Sequence, residues 1–176
     1  MSNHEAILNS KPPVERYNLP GDADWQSVDE VPTDFRQIVE LQMMAQREGA
    51  YIDDVARVPV SLEEVFEAYD SWTGGQQVLV IRDETGSIIG MLSYYFESNG
   101  TPFLESVGVD PDYQGDGIGA TLIDTALEEL RDSTEAPYAV ARAQTRVVDI
   151  YARRWGAEVL DEDGSDTVRI AVPIPR

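Results

Sequence analysis

The chain of 176 residues carries 33 Asp and Glu against 13 Lys and Arg, which gives a net charge of −20, and it has no cysteine. Its length suits one domain with a substantial core. The lack of cysteine excludes disulfides, thiolate metal sites and a cysteine nucleophile. The negative charge makes nucleic acid and anionic membranes poor partners. Because the sole histidine, His4, lies in a polar tail, any general base would have to be a carboxylate, a water chain or an unusual group.

The acidic residues are dispersed along the whole chain, and Lys11 is the sole lysine. This pattern is typical of halophilic proteins, in which a dispersed negative charge favours solubility in concentrated salt, and we expect such an origin. An acidic face that binds a partner is the alternative. No apolar run reaches membrane-spanning length and residues 1–20 lack an apolar signal core, so we expect a cytoplasmic protein with no membrane partner.

In chain order, the first predicted feature is an arm. Residues 1–24 contain three prolines and predict an N-terminal arm without regular structure, which leaves residues 25–176 as the folded domain. A short first strand is expected between Asp24 and Val31.

Two helices follow. The first is predicted to begin at Pro32-Thr33-Asp34 and to end at Gly49. The second begins with a capping box, Ser61 with Glu64, and stops near Gly74-Gly75. The connection over 49–60, which includes Tyr51 and Arg57, is predicted either to line a binding site or to be a plain helix–helix loop.

From residue 76 onward the spacing of apolar residues is typical of β-strands. Strands are predicted over 78–81, 88–96, 103–109, 138–143, 157–160 and 167–172, with helices from Ile118 to Leu130 and over 145–155. The acidic segment 161–164 is expected to be the solvated turn of a final hairpin.

The most informative stretch is Val107–Ala120, where an apolar strand ends at Asp110-Pro111 and a glycine-rich turn opens a helix. The alternating glycines remove every second side chain and expose backbone N–H groups. Because these donors stand at a helix start, the stretch predicts an anion site. The three glycines are Gly115, Gly117 and Gly119.

Two common glycine motifs do not fit this spacing. A Walker loop needs Gly-Lys-Ser/Thr, and the dinucleotide pattern G-x-G-x-x-G does not match. The pattern Gln/Arg-x-x-Gly-x-Gly/Ala does fit, with Gln114, Gly117 and Gly119 after a strand that ends in Val-Asp-Pro. In these residues the chain resembles the GNAT superfamily of acetyl-CoA-dependent N-acyltransferases. A purely structural glycine turn is the alternative.

The resemblance implies a single α/β (α+β) domain whose mixed, mostly antiparallel sheet of six or seven strands is flanked by about four helices. It also implies acetyl-CoA as co-substrate and no metal. In the family, the loop wraps the pyrophosphate, while the preceding strand pairs with the pantetheine arm and polarises the thioester carbonyl through a backbone amide. The matching residues are Val107, Gly108, Val109, Gln114, Gly115, Asp116, Gly117, Ile118, Gly119 and Ala120. A calcium loop from Asp110 is discounted because its twelfth position is Thr121.

Acyl transfer to an amine needs a base for the ammonium proton and an acid for the leaving thiolate. Glu105 is the candidate base, since it lies in an otherwise apolar strand just before the loop. Alternation places it on the same face as Phe103 and Val107. A solvent-facing Glu105 at a strand edge is the alternative. Some relatives carry the glutamate on the fifth strand, where this chain has Val140.

The candidate acid is Tyr151. Many relatives end the penultimate helix with Tyr-x-x-x-Gly-Phe, and that tyrosine protonates the thiolate. Here Ala152 stands four residues before Gly156, and Tyr151 stands one place earlier, about a quarter turn away. Three interpretations stay open: Tyr151 reaches the sulfur because the helix start is adjusted, water is the acid, or Tyr151 only packs.

Asp116 departs from the family pattern, since relatives usually place Lys or Arg in this loop. An acid beside a pyrophosphate weakens binding, and molar salt, with a Debye length of about 3 Å, would relieve the repulsion. Four arginines are candidates for the missing positive charge: Arg142, Arg146, Arg153 and Arg154.

We therefore expect an N-acetyltransferase that acetylates a primary amine by direct attack, because neither a cysteine nor a Ser–His pair is available for an acyl-enzyme. The acceptor is a small molecule or a protein amine, and a homodimer is left open. The alternative is an acetyl-CoA-binding domain without transferase activity, a sensor or subunit, as the displaced Tyr151 suggests.

Overall fold

The computed structural model describes residues 12–21, 23–46, 59–161 and 166–176. In this part of the chain there are four α-helices: α1 (Thr33–Gln46), α2 (Leu62–Thr73), α3 (Ile118–Ser133) and α4 (Val148–Trp155). The seven strands are β1 (Val14–Arg16), β2 (Gln77–Arg82), β3 (Ile88–Phe96), β4 (Pro102–Val109), β5 (Tyr138–Gln144), β6 (Glu158–Asp161) and β7 (Thr167–Pro173). Short 3-10 turns cover Val28–Glu30, Pro111–Tyr113 and Thr145–Val147.

The strands form one sheet in the order β1-β2-β3-β4-β5-β7-β6. β1 pairs antiparallel with β2, and β7 pairs antiparallel with both β5 and β6. β4 and β5 run parallel, with Phe103 opposite Val140 and Leu104 opposite Ala141. The predicted α/β domain with a mixed sheet of six or seven strands and about four helices is confirmed.

The two N-terminal helices begin where the sequence predicts. Helix α1 starts directly after Pro32. At the start of α2, the Ser61 hydroxyl accepts a hydrogen bond from the Glu64 N–H at 3.2 Å, and the Glu64 carboxylate accepts one from the Ser61 N–H at 2.8 Å. This reciprocal pair is the predicted capping box.

The prediction for the N-terminal region is wrong in two respects. Residues 1–24 are not wholly irregular, because Val14–Arg16 add a strand to the edge of β2. The expected strand between Asp24 and Val31 is instead a 3-10 turn over Val28–Glu30. The Glu30 carboxylate accepts a hydrogen bond from the Gln26 N–H at 2.8 Å, and such a local bond competes with strand pairing.

Some predicted features lie outside the described residues. They are Gly49 as the end of α1, Tyr51 and Arg57 in the connection, and residues 162–164 of the last hairpin turn.

Contacts divide the chain into two compact units. The first unit contains the described residues up to Ser93 together with Ser106–Ile123, and the second contains Tyr94–Glu105 and Asp124–Arg176. An aromatic cluster forms part of the first unit's core, with Phe35 and Trp72 edge to face at 5.3 Å between ring centroids. None of the helices in the described residues is long and apolar enough to cross a membrane.

Candidate functional site

The glycine-rich loop starts from a fixed point at the end of β4. Asp110 is buried, and its backbone N–H donates to the Ile89 carbonyl at 2.9 Å. Its carboxylate accepts a hydrogen bond from the Asp112 N–H at 3.0 Å and so caps the 3-10 turn Pro111–Tyr113. The predicted stop at Asp110-Pro111 is confirmed, and the chain leaves the sheet in a defined direction.

A side-chain contact ties this loop to the β2–β3 turn. The Tyr113 hydroxyl donates to the Asp83 carboxylate at 3.2 Å, and Asp83 also accepts from the N–H groups of Thr85 and Ser87 at 2.9 and 3.0 Å. Burial, followed by the charge of Asp83 and the hydrogen bond to it, raises the pKa of the Tyr113 phenol. Sequence reasoning missed this contact, since nothing local indicates that the two residues meet.

Two of the three glycines adopt backbone conformations that favour glycine. Gly115 has φ 92° and Gly117 has φ 80°, both in the left-handed region. No heavy atom lies within 4 Å of the position that a Cβ would take at either residue, so both face open space. The loop therefore presents main chain, without side chains, to whatever it binds.

Helix α3 begins directly after this turn. Its first hydrogen bond joins the Thr121 N–H to the Gly117 carbonyl at 2.9 Å. The N–H groups of Ile118, Gly119 and Ala120 precede that bond, so helix geometry gives them no partner within the helix. Unbonded N–H groups at a helix start, next to open glycines, can hold a phosphate or another anion.

Two side chains of the loop alter this picture. The Gln114 amide donates to the Val109 carbonyl at 3.2 Å, so it folds back onto the end of β4. One carboxylate oxygen of Asp116 is buried and has no hydrogen-bond partner in the described part of the chain. A carboxylate in an anion-binding loop opposes phosphate binding through Coulomb repulsion.

The end of β4 is tightly packed on both sides within the first unit. A Cβ on Gly108 would lie 2.4 Å from the Leu41 carbonyl oxygen of α1, so only glycine fits. On the other side, a Cβ on Gly119 of α3 would lie 3.5 Å from Val109 and 3.7 Å from Val107. The residues predicted to bind acetyl-CoA, from Val107 to Ala120, all belong to this unit.

Candidate base Glu105 lies half-buried in β4, two residues from Phe103. The Phe103 ring stacks on Tyr95 at 5.3 Å. The neighbouring Tyr94 donates to Glu129 of α3 at 2.8 Å, so Tyr95 and Phe103 lie on the face turned away from α3. Burial, then the charge of Glu105, raises the pKa of Tyr95, which places Glu105 near that face.

Val107 does not share this face, because it lies beneath Gly119 of α3. The cause is a shift in the β3–β4 pairing. The Glu97 N–H bonds the Thr101 carbonyl, whereas the Asp110 N–H bonds the Ile89 carbonyl. Between these two bonds β3 advances by eight residues, from 89 to 97, and β4 advances by nine, from 101 to 110. The extra residue on β4 is the feature of a β-bulge. The expectation that Glu105 shares a face with both Phe103 and Val107 is wrong for Val107.

Candidate acid Tyr151 lies half-buried on α4, in the second unit. Its ring packs at 5.1 Å from that of Trp155. The helix ends at Gly156, whose φ of 69° is left-handed and whose N–H bonds the Ala152 carbonyl at 2.9 Å.

The arginines proposed to offset Asp116 differ in their contacts. Arg154 pairs with Asp124 at 3.1 Å, Arg153 donates to the Asp149 carbonyl at 3.1 Å, and Arg146 donates to the Gln144 side chain at 2.8 Å. Arg142 is exposed. All four belong to the second unit.

Comparisons with known proteins bear on this geometry. Residues 37–157 match the acetyltransferase (GNAT) family. A mycothiol acetyltransferase of Propionibacterium freudenreichii subsp. shermanii is 30% identical in an alignment of 128 positions that covers 69% of this chain and 41% of that protein. The chain therefore spans less than half the length of this curated relative.

Solved structures share the fold at low sequence identity. A Corynebacterium glutamicum protein, described as histone acetyltransferase HPA2 and related acetyltransferase, has a TM-score of 0.61 at 15% identity and covers 94% of this chain and 97% of its own. A GNAT family acetyltransferase from Elizabethkingia anophelis, solved with acetyl-CoA bound, has a TM-score of 0.60 at 12% identity and covers 92% and 97%.

Proposed function

Because the chain belongs to the GNAT acetyltransferase family, we propose that it transfers an acetyl group from acetyl-CoA to a primary amine by direct attack. The observation that carries the proposal is the loop at Gly115 and Gly117, where open main chain meets the start of α3. Acetyl-CoA supplies an activated thioester and a pyrophosphate. The N–H groups of the loop suit the pyrophosphate, because a helix start binds phosphate anions.

Donor binding is assigned to residues of the first unit. The N–H groups around Gly117 and Ile118 would hold the pyrophosphate, and Gln114, Gly115, Asp116, Gly119 and Ala120 complete the loop. The β4–β5 pairs lie at Phe103 and Leu104, while β4 continues to Val109. We assign the backbone of Val107–Val109 to the pantetheine arm and to polarising the thioester carbonyl.

The acid and base are assigned to Glu105 and Tyr151. Glu105 would take a proton from the acceptor ammonium group, directly or through water, which frees the nitrogen lone pair for attack. As the bond from the acyl carbon to sulfur breaks, Tyr151 would donate its phenolic proton to the leaving sulfur. The half-buried position of Glu105 supports its role, and the role of Tyr151 rests on the family resemblance of its helix.

Glu105→Gln and Tyr151→Phe test these roles separately. We expect Glu105→Gln to lower kcat by about 10²-fold or more and Tyr151→Phe to lower it by about tenfold, with unchanged acetyl-CoA affinity. Glu97→Gln, which removes another half-buried carboxylate near Tyr95, is the matched control and should retain kcat. Equal activity in Glu105→Gln and Glu97→Gln would contradict the base assignment.

A second function is an acetyl-CoA-binding domain that does not transfer the acetyl group. The position of Tyr151 one residue before the family's tyrosine favours it. A turnover assay with a panel of small-molecule and peptide amines separates the two functions. Acetyl-CoA binding without CoA release in the presence of any amine would favour the second.

A further inference from the structure

Two arginines lie opposite each other on the sheet of the second unit. Arg142 of β5 and Arg169 of β7 are directly paired in the antiparallel register. Residues so paired point to the same face, with Cβ atoms about 5 Å apart. Asp161 approaches the Arg169 guanidinium only to 3.8 Å, and Arg142 has no ion pair among the described residues.

This arginine pair shares its face with an aromatic platform. Phe103 of β4 is opposite Val140 of β5, and Arg142 is two residues beyond Val140, so Arg142 and Phe103 point to the same side. Phe103 stacks on Tyr95 at 5.3 Å with an angle of 28° between the rings. The pKa of the Tyr95 phenol is raised, first by burial and then by the charge of Glu105. The charges of Arg142 and Arg169 act on the same phenol and lower its pKa. All these groups therefore lie within electrostatic reach of one phenol.

The Arg142–Arg169 pairing does not by itself stabilise the sheet. Like charges directly opposite on neighbouring strands are destabilising. Asp161 of β6 is paired with Arg169 and lies 3.8 Å from its guanidinium, so it offsets this repulsion only in part. An anion between Arg142 and Arg169 would convert the repulsion into two charge-assisted hydrogen-bonded contacts.

We propose that Arg142 and Arg169 bind a carboxylate of the acceptor, so that the amine substrate is one that carries a carboxylate group, such as an amino acid. The Tyr95 and Phe103 rings contact its carbon skeleton, and its amino group faces Glu105. This inference rests on the proposed acetyl transfer. Three carboxylates, those of Glu97, Glu105 and Asp161, lie near the two arginines, so the local charge favours a zwitterion such as an amino acid over a doubly charged phosphate.

The test compares three amines with one skeleton: L-phenylalanine, L-phenylalaninamide and phenethylamine. Initial rates of CoA release are measured at the lowest KCl concentration at which circular dichroism still shows the fold, because salt screens the contact. Wild-type kcat/KM should be at least tenfold higher for L-phenylalanine than for the other two. Arg142→Gln and Arg169→Gln should each lose about tenfold for L-phenylalanine and remain unchanged for phenethylamine.

Arg131→Gln is the matched control. It removes the same charge from the exposed last turn of α3 and should leave the preference intact. A wild-type enzyme without preference for the carboxylate, or one whose preference survives both Arg142→Gln and Arg169→Gln, would overturn the inference while leaving acetyl transfer standing.

A second readout does not need turnover. Arginine Nε–H NMR signals are followed while N-acetyl-L-phenylalanine or N-acetylphenethylamine is added. The signals of Arg142 and Arg169 should shift with the first compound only. If they shift in a protein that acetylates none of the amines, the carboxylate site stands and the transferase proposal fails; if they do not shift, the carboxylate site is refuted.

Discussion

The indole N–H of Trp155 donates a hydrogen bond to one carboxylate oxygen of Asp124 at 2.8 Å, and Arg154 holds the other oxygen at 3.1 Å. This contact joins the last turn of α4 to α3. Helix α4 is eight residues long and contains no buried residue, so it gains little from apolar burial. Asp124 is therefore a main anchor of the helix that carries Tyr151.

Loss of this anchor should loosen α4. We expect Asp124→Leu and Trp155→Phe to speed amide hydrogen exchange in Val148–Trp155 by about tenfold, since each removes a hydrogen bond to a charged acceptor. Arg154→Gln should change exchange much less, because that ion pair is half-exposed. Equal exchange rates in all three variants and the wild type would contradict the anchor.

The Asp83 carboxylate should make the β2–β3 turn sensitive to acid. Burial alone would raise its pKa, but the hydrogen bonds from Thr85, Ser87 and Tyr113 outweigh burial, so the pKa is lowered below 3.8. The contribution of Asp83 to the free energy of unfolding is thus present above pH 3.8 and is lost as the pH falls through the folded-state pKa.

Asp83→Asn should cost about 0.5 to 1 kcal/mol at pH 7, a value reduced by solvent exposure. The difference in unfolding free energy from wild type should shrink below pH 3.8. Tyr113→Phe removes one donor and should reproduce part of the loss. Urea unfolding in molar KCl between pH 2 and 7 measures both, and a difference that stays constant across this range would refute the assignment.

Gly108 and Gly119 should respond in opposite ways to an added methyl group. At Gly108 the methyl would meet the Leu41 carbonyl oxygen at 2.4 Å, and the backbone of α1 cannot easily move, so we expect Gly108→Ala to lose about 3 kcal/mol. At Gly119 it would make ordinary contacts in the first turn of α3, and Gly119→Ala should be neutral or gain up to about 1 kcal/mol. Unfolding free energies in the reverse order would contradict the packing.

Asp116 should make acetyl-CoA binding depend on salt. Its carboxylate lies in the loop that we assign to the pyrophosphate, so Asp116→Asn should raise affinity by about tenfold at low KCl and by about twofold in molar KCl, where charges are screened. Asp112→Asn, an exposed neighbour that precedes the loop, is the control. Calorimetric titration at two KCl concentrations checks this. An identical gain at both concentrations would exclude an electrostatic cause.

Local patterns made much of the fold predictable. The capping box at Ser61, the apolar period of β2–β5 and the glycine spacing after Val109 depend on neighbouring residues, and the structure places each element there. The strand Val14–Arg16 has only three residues, two of them charged. It forms because β2 offers an edge, which the local sequence does not reveal.

The contacts that position the candidate site were beyond sequence reasoning because they are long-range. Tyr113 meets Asp83 across 30 positions, and Trp155 meets Asp124 across 31. The one-residue shift in β4 turns Val107 to the other face from Phe103, whereas strict alternation predicts the same face. Each depends on tertiary packing. The roles of Glu105 and Tyr151 stay predictions.

The measurement that tests the central claim most directly is calorimetric titration of acetyl-CoA in molar KCl into wild type, Gly117→Glu and Gly100→Glu. Both glycines have φ near 80° with open space around them, so the two variants carry similar backbone strain, and only Gly117 lies in the loop. We predict that wild type and Gly100→Glu bind acetyl-CoA and that Gly117→Glu binds at least a hundredfold more weakly. A folded wild type that does not bind, or equal binding by both variants, would contradict the account.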